Sequence, residues 1–485
     1  MAMRILHVAS EMYPLIKTGG LADVVGALPQ ALTRRGLDTR VILPGFPSVL
    51  AGVTALRTVK EVGPVFGAAT VKLLLGRLPG NDELSIYVID APFLYKRSGN
   101  PYTGPEGQDW PDNHRRFALL GWVAAHIASG ELDEDWIPEV VHAHDWHAGL
   151  TPAYIAQNPA LPTGTVFTIH NMAFRGIFPM DSQYELALPM QKLTPMGIEF
   201  HGNISFMKSG LIFSKKITTV SPTYAREICT AEFGCGMEGV MRDRGRDLSG
   251  ILNGVDYEVW NPEDPTLAKP YNVDNLVGKA ACKQALQAEM GLAQTNDGPL
   301  FAVVSRLTSQ KGMDLLLASL PELLREGGQL AVLGTGDGDL EAGFRYAASA
   351  NPERVAVHIG YSEPMSHRIM AGADVLLVPS RFEPCGLTQL YALRYGTLPL
   401  VRHVGGLADT VVDATPENLR KDRATGFVFA DASRHALGQR ICEACALYHD
   451  KVMWEQVQRR GMSQDFSWND SAGNYEALYR SLLPA

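Results

Sequence analysis

The chain contains two successive series in which apolar strands alternate with turns and amphipathic helices. The first series opens with Arg4–Ala9, a glycine-rich turn and a helical segment, and then reaches the strand Val41–Pro44. The pattern restarts at Leu300–Ser305 and continues to Leu398–Val401. Strands that alternate with helices in this way are typical of a parallel sheet with helices on both faces. We therefore expect an α/β protein of two doubly wound, Rossmann-like domains that face each other across a deep cleft.

The boundaries of the two domains follow from the turn-rich stretches. A chain of 485 residues exceeds what one hydrophobic core usually supports. Asn253–Asp256 marks a turn, and a proline- and charge-rich connector follows it. We predict a first domain over 1–255, a second over 256–461, and a C-terminal segment 462–485 that packs back on the first. Alternating residues over 51–90 predict an antiparallel insertion or edge hairpins.

Composition excludes several classes of protein. The 43 basic and 52 acidic residues give a net charge of −9, which argues against a nucleic-acid partner. No apolar run is long enough to span a membrane, and no leader precedes the first strand. The six cysteines are typical of reduced thiols, and Cys442 and Cys445 have no second CxxC to complete a metal site. We expect a cytoplasmic protein.

The first β/α turn carries a lysine and paired glycines. The turn runs from Lys17 through Gly19 and Gly20 to Asp23. Paired glycines let the backbone approach a ligand closely, and successive N–H groups can bind an anion. The turn is neither GxGxxG nor a Walker loop, which argues against a dinucleotide or ATP site. A simple tight turn is the alternative interpretation.

The turn after the strand Leu300–Ser305 carries two cations. Arg306 offers a planar fork of donors and Lys311 a point charge, and together they suit a diphosphate. Neutralising a leaving diphosphate stabilises a transition state. The alternative is an ordinary solvated helix start.

A carboxylate and a hydroxyl lie between the apolar run 373–379 and the helical segment 389–395. Glu383 can bind sugar hydroxyls, act as a base or stabilise a cation. The segment from Cys385 to Thr388 leads into the helix, whose free N–H groups suit a phosphate. Alternatively, Glu383 only satisfies the helix dipole.

Histidines cluster at the ends of two strands of the first series. His142 and His144 point the same way on a strand, so the cluster His142–His147 allows metal chelation. No carboxylate-rich partner stretch accompanies it, and we favour substrate-lining roles for Asp145 and Trp146. His170 ends another strand, where it can bind a hydroxyl or remain structural.

Together these motifs resemble the ADP-glucose-dependent glycogen and starch synthases, and among them the bacterial enzymes. These are glycosyltransferases of the GT-B fold. The resemblance covers nearly the whole chain, and the first and last motifs carry most of its specificity. The motifs are Lys17–Leu21, His142–His147, Ile169–Asn171, Leu252–Asp256, Ser305–Gly312 and Pro379–Leu387.

The resemblance implies a reaction and its partners. The reaction is transfer of glucose from ADP-glucose to the non-reducing 4-hydroxyl of an α-1,4-glucan such as glycogen, with retention of configuration. It implies neither a metal nor a cofactor. A retaining enzyme without an evident nucleophile is expected to use front-face attack, with Glu383 forming no covalent adduct.

The resemblance also implies roles for individual residues. Arg306 and Lys311 neutralise the diphosphate, Glu383 holds glucose hydroxyls, and His170 lies beside the anomeric centre. The remaining positions bind the donor or line the sugar pocket, with Tyr361 stacking on adenine and Tyr95 in a loop beside the donor. These positions are Lys17, Gly19, Gly20, Asp23, Tyr95, Asp145, Trp146, Asn171, Asn253, Tyr361, Cys385, Gly386, Leu387 and Thr388.

Three alternatives remain at this stage. A GT-B relative such as a sucrose- or trehalose-type synthase or a nucleotide-sugar epimerase would use the same kind of cleft. An NAD-dependent oxidoreductase would also have Rossmann-like halves, although the chain lacks GxGxxG with an acid about 20 residues on. A silent glucan-binding protein would not need the cations of a diphosphate clamp.

Overall fold

The computed structural model describes residues 2–483, the side chain of Asp82 apart. The chain divides into two compact units, Met1–Gly254 with Trp468–Ala485, and Val255–Ser467. The sequence places the return to the first unit at residue 462, whereas the structure places it at Trp468. The reason is local, because the N–H of Phe466 donates to the Tyr257 hydroxyl at 2.7 Å and so stays with the second unit.

The first unit is built on short strands between apolar stretches. Its strands are β1 (Arg4–Val8), β2 (Asp38–Pro44), β3 (Thr54–Glu61), β4 (Lys72–Leu78), β5 (Asn81–Asp90), β6 (Val140–His144), β7 (Gly164–Ile169), β8 (Ile177–Pro179), β9 (Glu199–Phe200), β10 (Asn203–Ser205), β11 (Lys216–Thr219) and β12 (Leu248–Gly250). Within the described residues, nine of them form one sheet in the order β12-β11-β7-β6-β1-β2-β5-β4-β3.

The pairing in this sheet is parallel except at one edge. β4 pairs antiparallel with both β5 and β3, which confirms the hairpins predicted for residues 51–90. Strands β8, β10 and β9 form a separate antiparallel sheet that the sequence does not predict. Each of these strands has three residues or fewer, too few to show an alternating pattern.

Helices cover the first sheet. They are α1 (Gly20–Arg34), α2 (Pro47–Gly52), α3 (Pro92–Tyr95), α4 (Asn113–Ala128), α5 (Thr151–Ile155), α6 (Phe206–Phe213), α7 (Pro222–Glu227) and α8 (Glu238–Asp243). In α1, Leu21, Val24, Val25 and Leu28 recur at helical spacing and are buried, so this face packs on the sheet.

The second unit repeats the architecture in a smaller form. Its strands are β13 (Leu300–Val304), β14 (Gln329–Gly334), β15 (Val355–Ile359), β16 (Val375–Val378), β17 (Leu398–Arg402) and β18 (Phe427–Phe429). Its helices are α9 (Val277–Met290), α10 (Met313–Arg325), α11 (Gly338–Ala350), α12 (Glu363–Gly372), α13 (Thr388–Arg394), α14 (Gly405–Thr410), α15 (Pro416–Arg420), α16 (Arg434–His449) and α17 (Lys451–Met462).

The strand order of the second sheet is β15-β14-β13-β16-β17-β18, and every pair is parallel. The chain moves outward from β13 in one direction and then outward from β16 in the other. Ligands bind at such a switch point, outside the carboxyl ends of the two strands. In the first sheet the corresponding point lies between β1 and β6.

The last helix, α18 (Trp468–Arg480), belongs to the first unit. It packs on α1, and its Tyr479 hydroxyl lies 2.7 Å from Nδ1 of the buried His142. The C-terminal residues thus complete the core of the first unit, from the far end of the sequence. Over residues 2–483, no helix is both long and apolar enough to cross a membrane.

Candidate active site

The switch point of the second unit brings a lysine and a glutamate together. Nζ of Lys311, after β13, lies 2.6 Å from Oε2 of Glu383, after β16. The Ser380 hydroxyl donates to the same oxygen at 2.9 Å. The side chains of Lys311 and Glu383 are 19% and 10% exposed, so their charges are only weakly screened by water. The two predicted residues thus form one ion pair.

The two loops that carry this pair are tied to each other. The Arg381 guanidinium binds both carboxylate oxygens of Asp314 at 2.7 Å, and the N–H of Arg381 donates to the Gln310 carbonyl. Gly312 has φ +72° and lies so close to the other loop that a Cβ would meet the Pro379 carbonyl oxygen at 2.1 Å. These contacts hold the loops, and with them Lys311 and Glu383, in a fixed register.

A glycine pair that the sequence reasoning missed supports the same turn. Gly405 and Gly406 begin α14, directly after β17. The N–H of Gly406 donates to the Glu383 carbonyl at 3.2 Å, and a Cβ on Gly405 would meet that carbonyl oxygen at 1.9 Å. The segment Arg402–Gly406 places two glycines after the carboxyl end of a strand, and this pattern is a sequence signal for the third loop.

The start of α13 lies beside Glu383. Cys385 is buried, Gly386 has φ +71°, and α13 begins at Thr388 without a side-chain cap from Leu387. The first amides of such a helix have no intrahelical acceptor. The predicted segment therefore presents backbone donors next to a carboxylate.

Arg306 and Tyr361 lie at the surface of the second unit. Arg306 is exposed and its Nη2 lies 3.3 Å from the Gln310 side-chain oxygen. The Tyr361 ring is 69% exposed, and its hydroxyl donates to Glu363 at 2.9 Å. The described contacts bring neither side chain to Glu383.

In the first unit the glycine turn wraps around a buried carboxylate. Glu11 is 2% exposed, and its Oε2 accepts from the amides of Thr18 at 2.5 Å and Gly19 at 3.2 Å. Tyr102 donates its hydroxyl to the same carboxylate. The predicted anion nest is real, but the chain's own Glu11 occupies it. In the free protein the Gly19 amide thus donates to Glu11, and its contact with a donor stays a prediction.

The same turn keeps a surface for a ligand. Nζ of Lys17 lies 2.8 Å from Oδ1 of Asp23, in the first turn of α1. A Cβ on Gly19 would meet no atom within 4 Å. Nothing inside the described structure requires a glycine there, so the open space is available to a bound molecule. Nothing in the sequence marks Glu11, whose role becomes visible only once its oxygens are placed on the amides of the turn.

The carboxyl end of β6 holds Asp145 in a strained backbone. Asp145 has φ +60° and is 6% exposed, and burial raises the pKa of its carboxyl well above the ordinary value. The amides of Trp146, Asn171 and His170 face this carboxyl and oppose that shift. Asp145 thereby ties its own loop to the loop that follows β7.

Two predicted side chains of the first unit carry buried oxygens without a hydrogen-bond partner in the described chain. Oδ1 of Asp145 and Oδ1 of Asn253 make no hydrogen bond with the part of the chain that the structure describes. Unpartnered buried oxygens are unusual and suit a site that a hydroxyl-rich ligand completes. Asn171 instead accepts from the amide of Ala173 at 3.0 Å, and Trp146 is half-buried against Phe117.

The histidines form a hydrogen-bonded cluster. The ring nitrogens of His7, His142 and His144 lie within 4.8 Å of one another, a spacing that a metal ion also tolerates. However, Nδ1 of His7 lies 3.0 Å from Nε2 of His144, and both nitrogens of His142 contact hydroxyls. A cation would have to displace these hydrogen bonds. These contacts support a hydrogen-bonding role for the three histidines, and the substrate-lining roles of Asp145 and Trp146 remain predictions.

Tyr95 does not have the surface that direct contact with a donor requires. It is 1% exposed, its ring packs against Phe46, and its hydroxyl donates to the Arg116 carbonyl at 2.6 Å. Burial also raises the pKa of its hydroxyl well above the ordinary value. The apolar spacing of residues 91–95 explains the error, because it builds α3 into the core and leaves Phe93 exposed instead.

Two family models match the chain. A starch synthase catalytic domain matches residues 4–243, and a group 1 glycosyl transferase domain matches residues 291–458. The chain is 52% identical over 488 residues to a glycogen synthase of Francisella philomiragia, with 99% of this chain and 100% of that protein covered. A glycogen synthase of Paramagnetospirillum magneticum is 51% identical over 483 residues, with 99% and 98% covered.

Solved structures give the same picture of the fold. The catalytic domain of starch synthase IV from Arabidopsis thaliana, bound to ADP and acarbose, superposes with a TM-score of 0.89 at 31% identity, and 99% of each chain is covered. A sucrose-phosphate synthase from Thermosynechococcus elongatus, at 17% identity and TM-score 0.60 with 99% of each chain covered, shares the fold alone. With a mainly parallel sheet in the first unit and a parallel sheet in the second, these matches confirm the predicted two-domain α/β fold of the GT-B type.

Proposed function

Since this chain belongs to the glycogen and starch synthase family of glycosyltransferases, we propose that it elongates an α-1,4-glucan with glucose from ADP-glucose. The transfer retains the anomeric configuration and releases ADP. The observation that carries the proposal is the contact of 2.6 Å between Lys311 and Glu383 at the switch point of the second sheet. A cation for a leaving phosphate and a carboxylate for sugar hydroxyls are both needed there, side by side.

The second unit is proposed to hold the donor's phosphates. Lys311 and Arg306 neutralise the negative charge that grows on the diphosphate as the bond to glucose breaks. The amides of Gly386 and Leu387 and the hydroxyl of Thr388 bind the distal phosphate at the start of α13. In this assignment Glu383 keeps Lys311 in place in the free protein and shares it with the phosphate once the donor binds. Tyr361 stacks on the adenine.

Groups that bind glucose are proposed for each unit by itself. The Glu383 carboxylate accepts hydrogen bonds from the glucose hydroxyls, and the backbone of Cys385 and Gly386 binds these hydroxyls as well. In the first unit, His170 lies beside the anomeric carbon, and Asp145 and Asn253 supply the oxygens that now have no partner in the described chain. The other proposed contacts of the first unit come from Lys17, Gly20, Asp23, Trp146 and Asn171.

Retention follows from front-face attack in this proposal. The bond between the anomeric carbon and the phosphate oxygen breaks, and the bond to the acceptor's 4-oxygen forms on the same face. The acceptor's proton passes to the departing phosphate, so charge and atoms balance without a covalent intermediate. The backbone carbonyl of His170 stabilises the positive charge on the sugar. Mass spectrometry that trapped a glucosyl adduct on Glu383 would refute this route.

Turnover with different nucleotides tests the proposed function. We expect glycogen to accept glucose from ADP-glucose at least about tenfold faster than from UDP-glucose, with one ADP released per glucose added. Preference for UDP-glucose would indicate another GT-B activity. NAD reduction without glucose transfer would indicate an oxidoreductase, and glycogen binding without turnover would indicate a silent glucan-binding protein.

The proposed partners are the ADP-glucose donor and the glucan acceptor, without nucleic acid, metal or cofactor. We place the protein in the cytoplasm. All six cysteines are free thiols in the structure, as is usual in a reducing compartment.

A further inference from the structure

Three imidazoles of the first unit form a continuous hydrogen-bonded chain. Nδ1 of His7, on β1, lies 3.0 Å from Nε2 of His144, on β6. Nδ1 of His144 lies 3.1 Å from Nε2 of His170, which follows β7. The inner imidazole, His144, therefore uses both of its nitrogens, and the series ends at His170, the residue assigned to the anomeric centre.

These imidazoles are neutral at physiological pH. His7 and His144 are fully buried, and burial lowers the pKa of His7 and of His170 to about 3 and that of His144 well below its ordinary value. A neutral imidazole carries one N–H and one acceptor nitrogen. In a chain of neutral imidazoles, fixing the proton on one ring therefore fixes it on the next.

His7, at the far end of the three imidazoles, sets the direction in which their hydrogen bonds are donated. Nε2 of His7 is buried and has no hydrogen-bond partner among residues 2–483. Buried N–H groups without an acceptor are rarer than buried acceptors without a donor. The proton of His7 therefore belongs on Nδ1, where it is donated to His144. His144 then carries its proton on Nδ1 and donates it to Nε2 of His170.

We propose that His7 and His144 are positioning residues that keep the proton of His170 on Nδ1. Nε2 of His170 is occupied as an acceptor, so the partly exposed ring presents an N–H donor to the ligand. A hydrogen-bond donor at this place suits an oxygen of the glucose in the nucleotide sugar. Because Nδ1 carries the proton, it cannot act as a general base. This inference rests on the proposed function only for the identity of the ligand.

A tautomer measurement tests the inference without any substrate. Two-bond ¹H–¹⁵N correlation spectra of the full chain, labelled at histidine, report which nitrogen carries the proton, and loss of signals in His170→Asn assigns His170. We expect Nδ1–H at His170 in the unaltered chain. A proton on Nε2 would overturn the inference before any other variant is made.

His7 variants then test action at a distance. His7→Leu removes the hydrogen-bond donor to His144. The direction of the hydrogen bonds between the imidazoles can then reverse, and the proton of His170 should move to Nε2. His7→Asn places an amide N–H near the position of the lost Nδ1–H and should keep it on Nδ1. An unchanged tautomer in folded His7→Leu would overturn the proposal. If His7→Leu does not fold, a proton on Nε2 of His170 in His7→Asn would still overturn the proposal.

Kinetics separate this inference from the proposed function. With ADP-glucose and glycogen, His7→Leu should lower kcat about tenfold, the scale of one hydrogen bond, with the KM for glycogen within about twofold. His7→Asn should restore most of the loss. Equal kcat for both variants would overturn the role in positioning. If the unaltered protein showed Nδ1–H at His170 yet transferred no glucose, the proposed function would be wrong, while the positioning of the His170 proton by His7 and His144 would be unaffected.

Discussion

Nζ of Lys311 and Oε2 of Glu383 lie 2.6 Å apart, although the residues are 72 positions apart in the sequence. They leave the ends of β13 and β16, the two strands at which the order of the sheet reverses. Each partner is mostly buried, so each would be an uncompensated charge without the other. The pair links the stability of the second unit to its proposed chemistry.

The first prediction is a strong coupling within this pair. Lys311→Met and Glu383→Gln should each lower the Tm of the second unit, because each leaves one polar partner unmatched. The double variant should lose less stability than the sum of the two single losses. We expect a coupling free energy of about 1–2 kcal/mol, or about 3–6 °C in Tm. Calorimetry on the four proteins measures it. Additive losses would mean that the contact contributes nothing to stability.

The second prediction concerns turnover. Lys311→Ala should lower kcat on the order of 100-fold, because the variant loses a cation on the leaving phosphate. The KM for glycogen should stay within about twofold, since no contact with the acceptor is lost. Lys421→Ala is the matched control, because Lys421 is a surface lysine whose side chain is 53% exposed. A loss confined to glycogen affinity would contradict the assignment of Lys311.

The third prediction uses the open space at Gly19. Gly19→Ala should leave Tm unchanged, since the new methyl group meets no atom within 4 Å in the free protein. It should raise the KM for ADP-glucose several-fold, on the order of 1 kcal/mol, if the donor fills that space. Gly239→Ala is the control, because Gly239 also has nothing within 4 Å and lies in α8. Equal KM values in both variants would place the donor elsewhere.

The fourth prediction is a loss of stability in mild acid. Five histidines have a lowered pKa in the fold because burial disfavours their charged form. They are His7, His142, His144, His147 and His170. Unfolded, they bind protons as the pH falls through about 6.5, while the folded chain does not. Their contribution is therefore full above about pH 6.5 and is lost progressively toward pH 3.

Two carboxyls act in the opposite sense. Burial raises the pKa of Asp145 and that of Asp413, so their contribution declines as the pH rises above about 4. Five histidines against these two carboxyls should lower the free energy of unfolding between pH 7.5 and 5, by up to about 1.4 kcal/mol per pH unit for each histidine, and Tm should fall with it. His7→Asn should reduce this slope, and His435→Asn, at an exposed position, should not. A Tm that stayed level or rose on acidification would refute the account.

The sequence predicts the fold well because its strands are apolar runs between glycine turns. The strand predicted over Leu300–Ser305 matches β13, and the strand predicted over Leu398–Val401 matches β17. The sheet β8-β10-β9 is missed because its strands are held by pairing between segments too short to show a period. The C-terminal segment predicted from residue 462 contains the helix α18, which begins at Trp468.

The candidate site is predicted less completely, since its assembly depends on contacts across the sequence. The sequence identifies Lys311 and Glu383 separately, but only the strand order shows that they touch. Glu11 is missed because an acid beside a glycine turn has no signature until its oxygens are seen on the amides. Tyr95 is misassigned because a resemblance transfers a position and says nothing of its burial.

Product analysis tests the central claim most directly. ADP-glucose labelled with ¹³C at the anomeric carbon is incubated with a short α-1,4-glucan, and NMR follows the label. We predict a new α-1,4 linkage signal that grows in step with ADP, and its near-complete loss in Lys311→Ala. A β linkage, free labelled glucose or an unchanged donor would contradict the account.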